Sequence, residues 1–90
     1  MATVTITPEA QRQFHRLPVS IRTRIEKVLD RLEQWPNVSG AKGLSGRLAG
    51  HYRIRTGDYR VQFRVAPSDV PRPLRVIVEK VGHRDRFYEE

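Results

Sequence analysis

Between His51 and Val65, basic residues alternate with apolar ones, and this alternation is the feature of the chain best suited to chemistry. Successive side chains of a β-strand point to opposite faces, so the pattern predicts two strands with one apolar and one basic face. The basic face carries His51, Arg53, Arg55, Arg60, Gln62 and Arg64. A face that is merely solvated usually carries balancing acids, and these six positions include none. Because the planar guanidinium group suits phosphate, we interpret this face as an anion-binding site.

The register of the predicted hairpin follows from keeping its apolar side chains together. Gly57 marks the turn. A single apolar face predicts that Ile54 pairs with Tyr59, which sets Arg53 opposite Arg60. Like charges directly opposite one another are destabilising, so this arrangement favours a role in binding over a role in folding.

Composition and charge narrow the class of protein. The chain has 90 residues, which predicts one domain over residues 1–90. Its 17 lysines and arginines against 10 acids give a net charge of +7, which favours nucleic acid or an acidic protein as partner. Cysteine is absent, which excludes disulfides and thiolate chemistry. No run resembles a signal peptide or a membrane span, so we expect a cytoplasmic protein without membrane contact.

The N-terminal part of the chain is predicted to form a strand and two helices. Residues 2–7 alternate in the manner of a short strand. Thr7 and Pro8 then have the residue types of a helix cap and a first helical turn. A second helix opens near Pro18 and ends at Pro36, with its apolar residues on one face. The short connection between the helices predicts a helical hairpin.

Residues 36–50 are predicted to be a mobile, glycine-containing connection. The glycine spacing does not match a phosphate-binding loop. We expect Leu44 and Leu48 to anchor this segment to the core. Lys42 and Arg47 lie within it, where they could contact the backbone of a polyanion.

The remainder of the chain completes the sheet. A turn-rich loop covers Pro67 to Pro73, and a strand covers Leu74 to Val81. The segment from Gly82 to Tyr88 closes the chain with a short helical turn. The predicted order is β-α-α-β-β-β, an α+β fold with a three-stranded antiparallel meander after the helical hairpin. The helices should cover one face of the sheet and leave the basic face open.

This order of elements and three short stretches resemble the RelE/ParE superfamily of type II toxins. The stretches are Leu44-x3-Leu48-Ala-Gly-x-Tyr-Arg-Ile-Arg, Gly57-Asp58-Tyr59-Arg60-Val61, and Gly82-His83-Arg84 with Tyr88. The closing motif resembles the RelE branch, whose members cut messenger RNA in the ribosomal A site. The ParE branch poisons DNA gyrase.

The resemblance implies roles for particular residues. Arg53 and Arg55 match two basic positions on the first hairpin strand, and Arg60 matches the arginine that steadies the scissile phosphate. Arg84 matches a C-terminal catalytic arginine. Tyr88 matches a tyrosine that stacks on or orients a nucleotide, although its spacing from Arg84 is shorter than in some relatives. The expected RNA contacts are His51, Arg53, Arg55, Arg64, Lys42 and Arg47.

One departure from the family concerns proton transfer. Some relatives have lysine where this chain has Arg53 and Arg55. Arginine effectively cannot lose its proton, so these residues can stabilise charge but are poor general bases. Histidine changes charge near neutral pH, which makes His83 the first candidate base and His51 the second.

The expected reaction is a metal-free attack by the RNA 2′-OH, without a cofactor. No cluster of acids and histidines suggests a magnesium or zinc site, and Glu79 alone would be a weak ligand. Two other functions remain open at this point. One is a ParE-like gyrase poison, and the other is a basic nucleic-acid-binding module without catalysis.

The implied partners are the ribosome, messenger RNA and a cognate antitoxin. An acidic, partly disordered antitoxin segment that folds on the toxin would suit the charge of this chain. Such a pair would form a toxin–antitoxin hetero-oligomer.

Overall fold

The computed structural model of the chain describes residues 2–66 and 74–87, with only the backbone of Arg86. The elements are β1 (Ala2–Ile6), α1 (Pro8–His15), α2 (Val19–Leu32), β2 (Lys42–Gly43), a 3₁₀ turn (Gly46–Leu48), β3 (His51–Thr56), β4 (Tyr59–Val65), β5 (Leu74–His83) and α3 (Arg84–Phe87). The strands form one sheet in the order β1-β5-β4-β3-β2, with β1 parallel to β5 and the other pairs antiparallel. The predicted α+β class and strand–helix–helix–meander order are confirmed.

The start of α1 follows the predicted capping chemistry. The Thr7 side chain accepts a hydrogen bond of 3.1 Å from the backbone nitrogen of Ala10, and Pro8 occupies the first helical position. These two residues satisfy or remove amide donors that a helix N-terminus otherwise leaves unpaired. The Gln13 side chain of α1 accepts a hydrogen bond of 2.9 Å from the backbone nitrogen of Val81. Since β1 pairs with β5 only as far as Val78, α1 covers the exposed edge of the later part of β5.

The core lies between α2 and the apolar face of the sheet. Helical spacing brings Ile25, Val28 and Leu32 to one side of α2, where all three are buried. The sheet contributes the buried side chains Ile54, Val61, Phe63, Val76, Val78 and Val81. The Trp35 ring closes one end of this core and lies edge-on to Phe63, with 5.3 Å between ring centroids.

The predicted hairpin register is wrong by two residues. Ile54 pairs with Val61 rather than Tyr59, and Arg60 faces Arg55 rather than Arg53. The turn contains only two residues, with Gly57 at φ 60° in its first position. This conformation fits a type II′ turn, whose twist matches that of the flanking strands. A slip of two residues keeps every side chain on its own face, so alternation alone could not distinguish the two registers.

The connection before the hairpin is partly ordered, in contrast to the predicted mobile segment. Lys42 and Gly43 form the edge strand β2, in which Lys42 pairs with Arg53. The prediction that Leu48 anchors this segment to the core is wrong, because 36% of this residue is exposed. The strand predicted to end at Val81 continues to His83 as β5. The loop predicted from Pro67 to Pro73 lies outside the described residues.

A β-bulge changes the course of β5 next to the basic face. Gln62 pairs with Lys80 and Phe63 pairs with Val78, which leaves Glu79 as the extra residue. A bulge of this kind bends the strand and redirects a side chain. Since Val76 and Val78 are buried, alternation already directs Glu79 to the basic face, and the bulge lets Lys80 share that face while Val81 returns to the core.

The conformation of the hairpin turn predicts that alanine substitutions at two glycines differ in their effect on the free energy of unfolding. Gly57→Ala should lower the free energy of unfolding by about 1–2 kcal/mol, because an L-residue is strained at this positive φ. Its methyl group would also come within 2.7 Å of Arg24 Nη1, so the flexible Arg24 side chain must move. Gly43→Ala is the matched control: its added methyl group would meet Tyr52 at an ordinary 3.6 Å. The control should stay within about 0.5 kcal/mol in urea unfolding. Equal losses in the two variants would contradict the assigned turn.

Candidate nucleic-acid interface

The sheet brings the predicted basic residues together on one face. The cross-strand pairs are His51 with Arg64, Arg53 with Gln62, and Arg55 with Arg60. Lys42 extends the row from β2, because it pairs with Arg53. We call this surface the basic face, and it consists of Lys42, His51, Arg53, Arg55, Arg60, Gln62 and Arg64.

Arg60 is the most unusual residue of the basic face. The residue is only 9% exposed, and its Nε and Nη1 atoms are buried without a hydrogen-bond partner among the described residues. Leaving a buried donor unpaired costs about 1–3 kcal/mol, and more for a charged group. The sequence predicted an open face, and this expectation is wrong for both Arg60 and Gln62, which are buried. A buried cation with such unpaired donors has the chemistry to accept an anion as ligand.

The last helix supplies part of the cover over the basic face. The Phe87 side chain of α3 is 2% exposed and faces Gly82, the residue that pairs with Arg60. The Phe87 ring centroid lies 4.8 Å from the Lys80 ammonium and 5.7 Å from the Arg53 guanidinium carbon. Both distances suit cation–π contacts. The sequence did not predict this role for Phe87. The pattern that could have indicated it is a phenylalanine five residues after Gly82, the residue that pairs with Arg60.

A hydrogen-bonded group around Glu79 occupies the other end of the face. Gln62 Nε2 donates to Glu79 Oε1 at 3.0 Å, and His51 Nδ1 shares a hydrogen bond with the same oxygen. Arg64 Nε lies 3.8 Å from Glu79 Oε2. Glu79 therefore supplies a balancing acid at one end of the face and holds His51 in place.

The two histidines of interest lie on different faces. His83 pairs with Tyr59, and their rings meet edge-on with 5.1 Å between centroids. Arg60 pairs with Gly82 instead, so alternation directs the His83 side chain away from the basic face. His83 Nδ1 also accepts a hydrogen bond of 3.1 Å from the backbone nitrogen of Asp85. In this arrangement the structure brings His51, and not His83, to the arginine row.

Arg84 lies at the tip of the hairpin. Its backbone nitrogen donates to the Asp58 carbonyl oxygen at 2.7 Å. Its guanidinium lies 3.8 Å from a carboxylate oxygen of Asp58 and 3.6 Å from one of Asp85, and its side chain is 58% exposed. Exposed ion pairs of this length are weak, so Arg84 can exchange these acids for a phosphate.

Of the remaining predicted site residues, two are exposed on the surface and one lies outside the described residues. Lys42 and Arg47 are both exposed, with Arg47 in the 3₁₀ turn that leads into β3. Tyr88 lies outside the described residues. Within residues 2–66 and 74–87, no group of three or more acids, histidines or cysteines is arranged to hold a metal ion. In the same ranges, no helix has the length and apolar character needed to cross a bilayer.

Comparison with known families identifies the chain. A model of the ParE toxin of type II toxin–antitoxin systems matches residues 4–88. The protein belongs to the RelE/ParE family of toxins. No curated protein sequence matches the chain.

Solved structures of other toxins share the fold. The RelBE2 toxin–antitoxin complex of Mycobacterium tuberculosis matches with a TM-score of 0.77 and 30% identity, over 92% of this chain and 98% of that chain. The RelE–RelB complex of Pyrococcus horikoshii matches with a TM-score of 0.66 and 27% identity, over 94% and 97%. The isolated E. coli RelE toxin matches with a TM-score of 0.73 and 20% identity, over 92% and 84%. The toxin described here is therefore similar to proteins that are found in complexes with antitoxins.

The burial of Arg60 with unpaired donors predicts that this residue lowers the free energy of unfolding of the protein. Arg60→Met should raise the free energy of unfolding by about 1 kcal/mol or more, because an apolar side chain replaces donors that are buried without partners. The matched control is Arg55→Met on the exposed residue opposite Arg60, which should change stability by less than about 0.5 kcal/mol. Chemical denaturation measures both. A clear loss of stability in Arg60→Met would mean that the guanidinium supports the fold.

Proposed function

We propose that this toxin is a metal-independent endoribonuclease that cleaves messenger RNA on the ribosome and so inhibits translation. The observation that carries the proposal is the buried guanidinium of Arg60, whose Nε and Nη1 lack partners among the described residues. A phosphate of the RNA backbone would supply the missing acceptors and the missing negative charge. The basic composition agrees with a polyanionic substrate such as RNA.

The reaction would place its developing charge next to this arginine. Attack of a 2′-OH on the adjacent phosphorus forms a phosphorane with additional negative charge, and the 5′-oxygen then leaves. Donors that are already positioned for this charge lower the barrier, since they need not reorganise during the reaction. Arg60 would contact the scissile phosphate, with Arg55 directly opposite and Arg53 on the same face of β3.

Neither histidine lies next to Arg60, where a general base would be needed. The His83 ring packs on Tyr59, so its use as a base would require the C-terminal segment to rearrange. His51 is on the basic face, but it is four residues along β3 from Arg55, a distance of roughly 13 Å. A general base must come within about 3 Å of the proton it takes. We therefore propose that the arginines act by charge, while Tyr88, the ribosome or solvent handles the proton.

Substitutions separate these roles. Arg60→Ala should lower single-turnover cleavage of ribosome-bound message by about 100-fold or more, the scale expected when one preorganised donor is lost. Lys27→Ala removes one positive charge from the exposed side of α2 and should leave the rate unchanged. His83→Gln should reduce the rate by less than about tenfold, because a missing general base would cost about 100-fold or more. A larger loss in His83→Gln would restore His83 as the base.

We also propose that a cognate antitoxin silences the toxin with an acidic or amphipathic segment laid over or beside the sheet. The charge of +7 supports this choice of partner. Binding should weaken as salt is raised, since exposed charges are screened beyond about 10 Å at 0.1 M. Titration calorimetry at several salt concentrations measures this dependence. An affinity indifferent to salt would indicate an apolar groove on the helices as the binding site.

A gyrase poison is the second candidate function. It is favoured by the family model, which describes a ParE toxin, and by the cover that Phe87 places over the basic face. Expression of the toxin without its antitoxin distinguishes the two functions. Messages cut within codons support the ribonuclease, whereas intact messages with gyrase-linked DNA breaks support the poison.

A further inference from the structure

A polar pocket opens beside the basic face, and no step of the proposed cleavage uses it. Its volume is about 330 Å³. It is lined by Glu9, Gln13, Leu48, His51, Gln62, Glu79 and Lys80. His51, Gln62 and Lys80 belong to adjacent strands, while Glu9 and Gln13 come from α1. The pocket therefore joins the first helix to the end of the arginine row that is farther from Arg60.

The groups that line this pocket favour a hydrogen-bond donor. Glu79 Oε1 is already occupied, because it accepts from Gln62 and shares a hydrogen bond with His51. Among the described residues, the polar group near its other oxygen, Oε2, is the Arg64 guanidinium at 3.8 Å, beyond hydrogen-bond distance. Since an ionised carboxylate only accepts, the amide nitrogen of Gln62 must face Glu79, and the Gln62 carbonyl oxygen remains a second acceptor. The lining carries two carboxylates, Glu9 and Glu79, against the ammonium of Lys80, so a phosphate is disfavoured here.

The position of the pocket indicates what the donor belongs to. The Arg55–Arg60 pair and the His51–Arg64 pair lie four residues apart along each strand, a distance of roughly 13 Å. An RNA strand whose phosphate contacts Arg60 and whose backbone follows the arginines would bring a neighbouring nucleotide to the pocket. Single-stranded RNA is commonly recognised through bases that turn out of the stack, contact flat side chains and form hydrogen bonds through their edges. The His51 ring and the Leu48 side chain line the pocket and can contact such a base.

We propose, as an extension of the proposed ribonuclease function, that this pocket binds one nucleobase next to the cleavage site and that Glu79 selects an amino-bearing base over uracil. Adenine, cytosine and guanine each offer an exocyclic amino group that can donate to Glu79 Oε2. Uracil has no amino group, and its one donor on this edge, N3–H, is flanked by two carbonyl oxygens that a carboxylate would repel. Gln62 and His51 are the positioning residues, since both hold Glu79 through Oε1.

The test maps cut ends in a translation reaction supplied with purified toxin. The wild-type toxin should show uridine depleted by about tenfold or more at one fixed position relative to the cut, the scale of one good base contact. Two messages that differ only by cytidine or uridine at this position measure the same preference directly. Glu79→Gln should remove the depletion, because an amide can donate to the uracil carbonyl as well as accept from an amino group. Arg55→Gln is the matched neutralising control, and it should cut more slowly while uridine remains depleted.

The outcomes separate this inference from the function on which it rests. Wild-type toxin that leaves every message intact overturns both. Cutting without uridine depletion overturns the base pocket and leaves the ribonuclease function in place. A uniform fall in cutting by Glu79→Gln, with the depletion intact and an unchanged melting temperature, also overturns the pocket and assigns Glu79 only the positioning of His51.

Discussion

The burial of Arg60, whose Nε and Nη1 atoms have no hydrogen-bond partner among the described residues, is the constraint on which the remainder of this structure depends. Its unpaired donors cost about 1–3 kcal/mol, a large share of the 5–15 kcal/mol by which small proteins are usually stable. The same strand supplies the compensation. Val61 and Phe63 on the opposite face are fully buried, and each contributes about 1.5–3 kcal/mol. A central strand with one tightly packed apolar face can therefore hold an unsatisfied cation on the other.

The two ends of the basic face carry different chemistry because β5 contributes an acid, Glu79, to one end and Gly82 to the other. Glu79 lies beside His51, Gln62 and Arg64, so its negative charge offsets the arginines more at this end than at Arg55 and Arg60. At that end, Phe87 lies over Gly82 and near Arg53. Cation–π contacts of this kind contribute about 0.5–2 kcal/mol, so a phosphate could compete with the ring for the same cations. A ligand of Arg60 must share this surface with α3.

Local residue patterns predicted much of the fold. The Thr7–Pro8 helix start, the apolar side of α2 and the sorting of arginines to one sheet face all follow from short-range rules, and the structure shows each of them. The resemblance to RelE/ParE toxins rested on motifs around Arg60 and Arg84, and the family is confirmed. The hairpin register was predicted wrongly because registers that differ by two residues preserve the faces. The turn conformation at Gly57 decided between them.

The sequence by itself determined which residue types share the sheet face, because alternation is a property of each strand alone. The tertiary structure decided which of them are buried, which are paired and which are near one another. Arg60 became buried through neighbours distant in the chain, and Glu79 reached His51 across an interval of 28 residues. His83, beside Arg84 in the sequence, was turned to Tyr59 by its pairing in the sheet. Such properties depend on contacts between remote segments, and no local pattern of residues specifies those contacts.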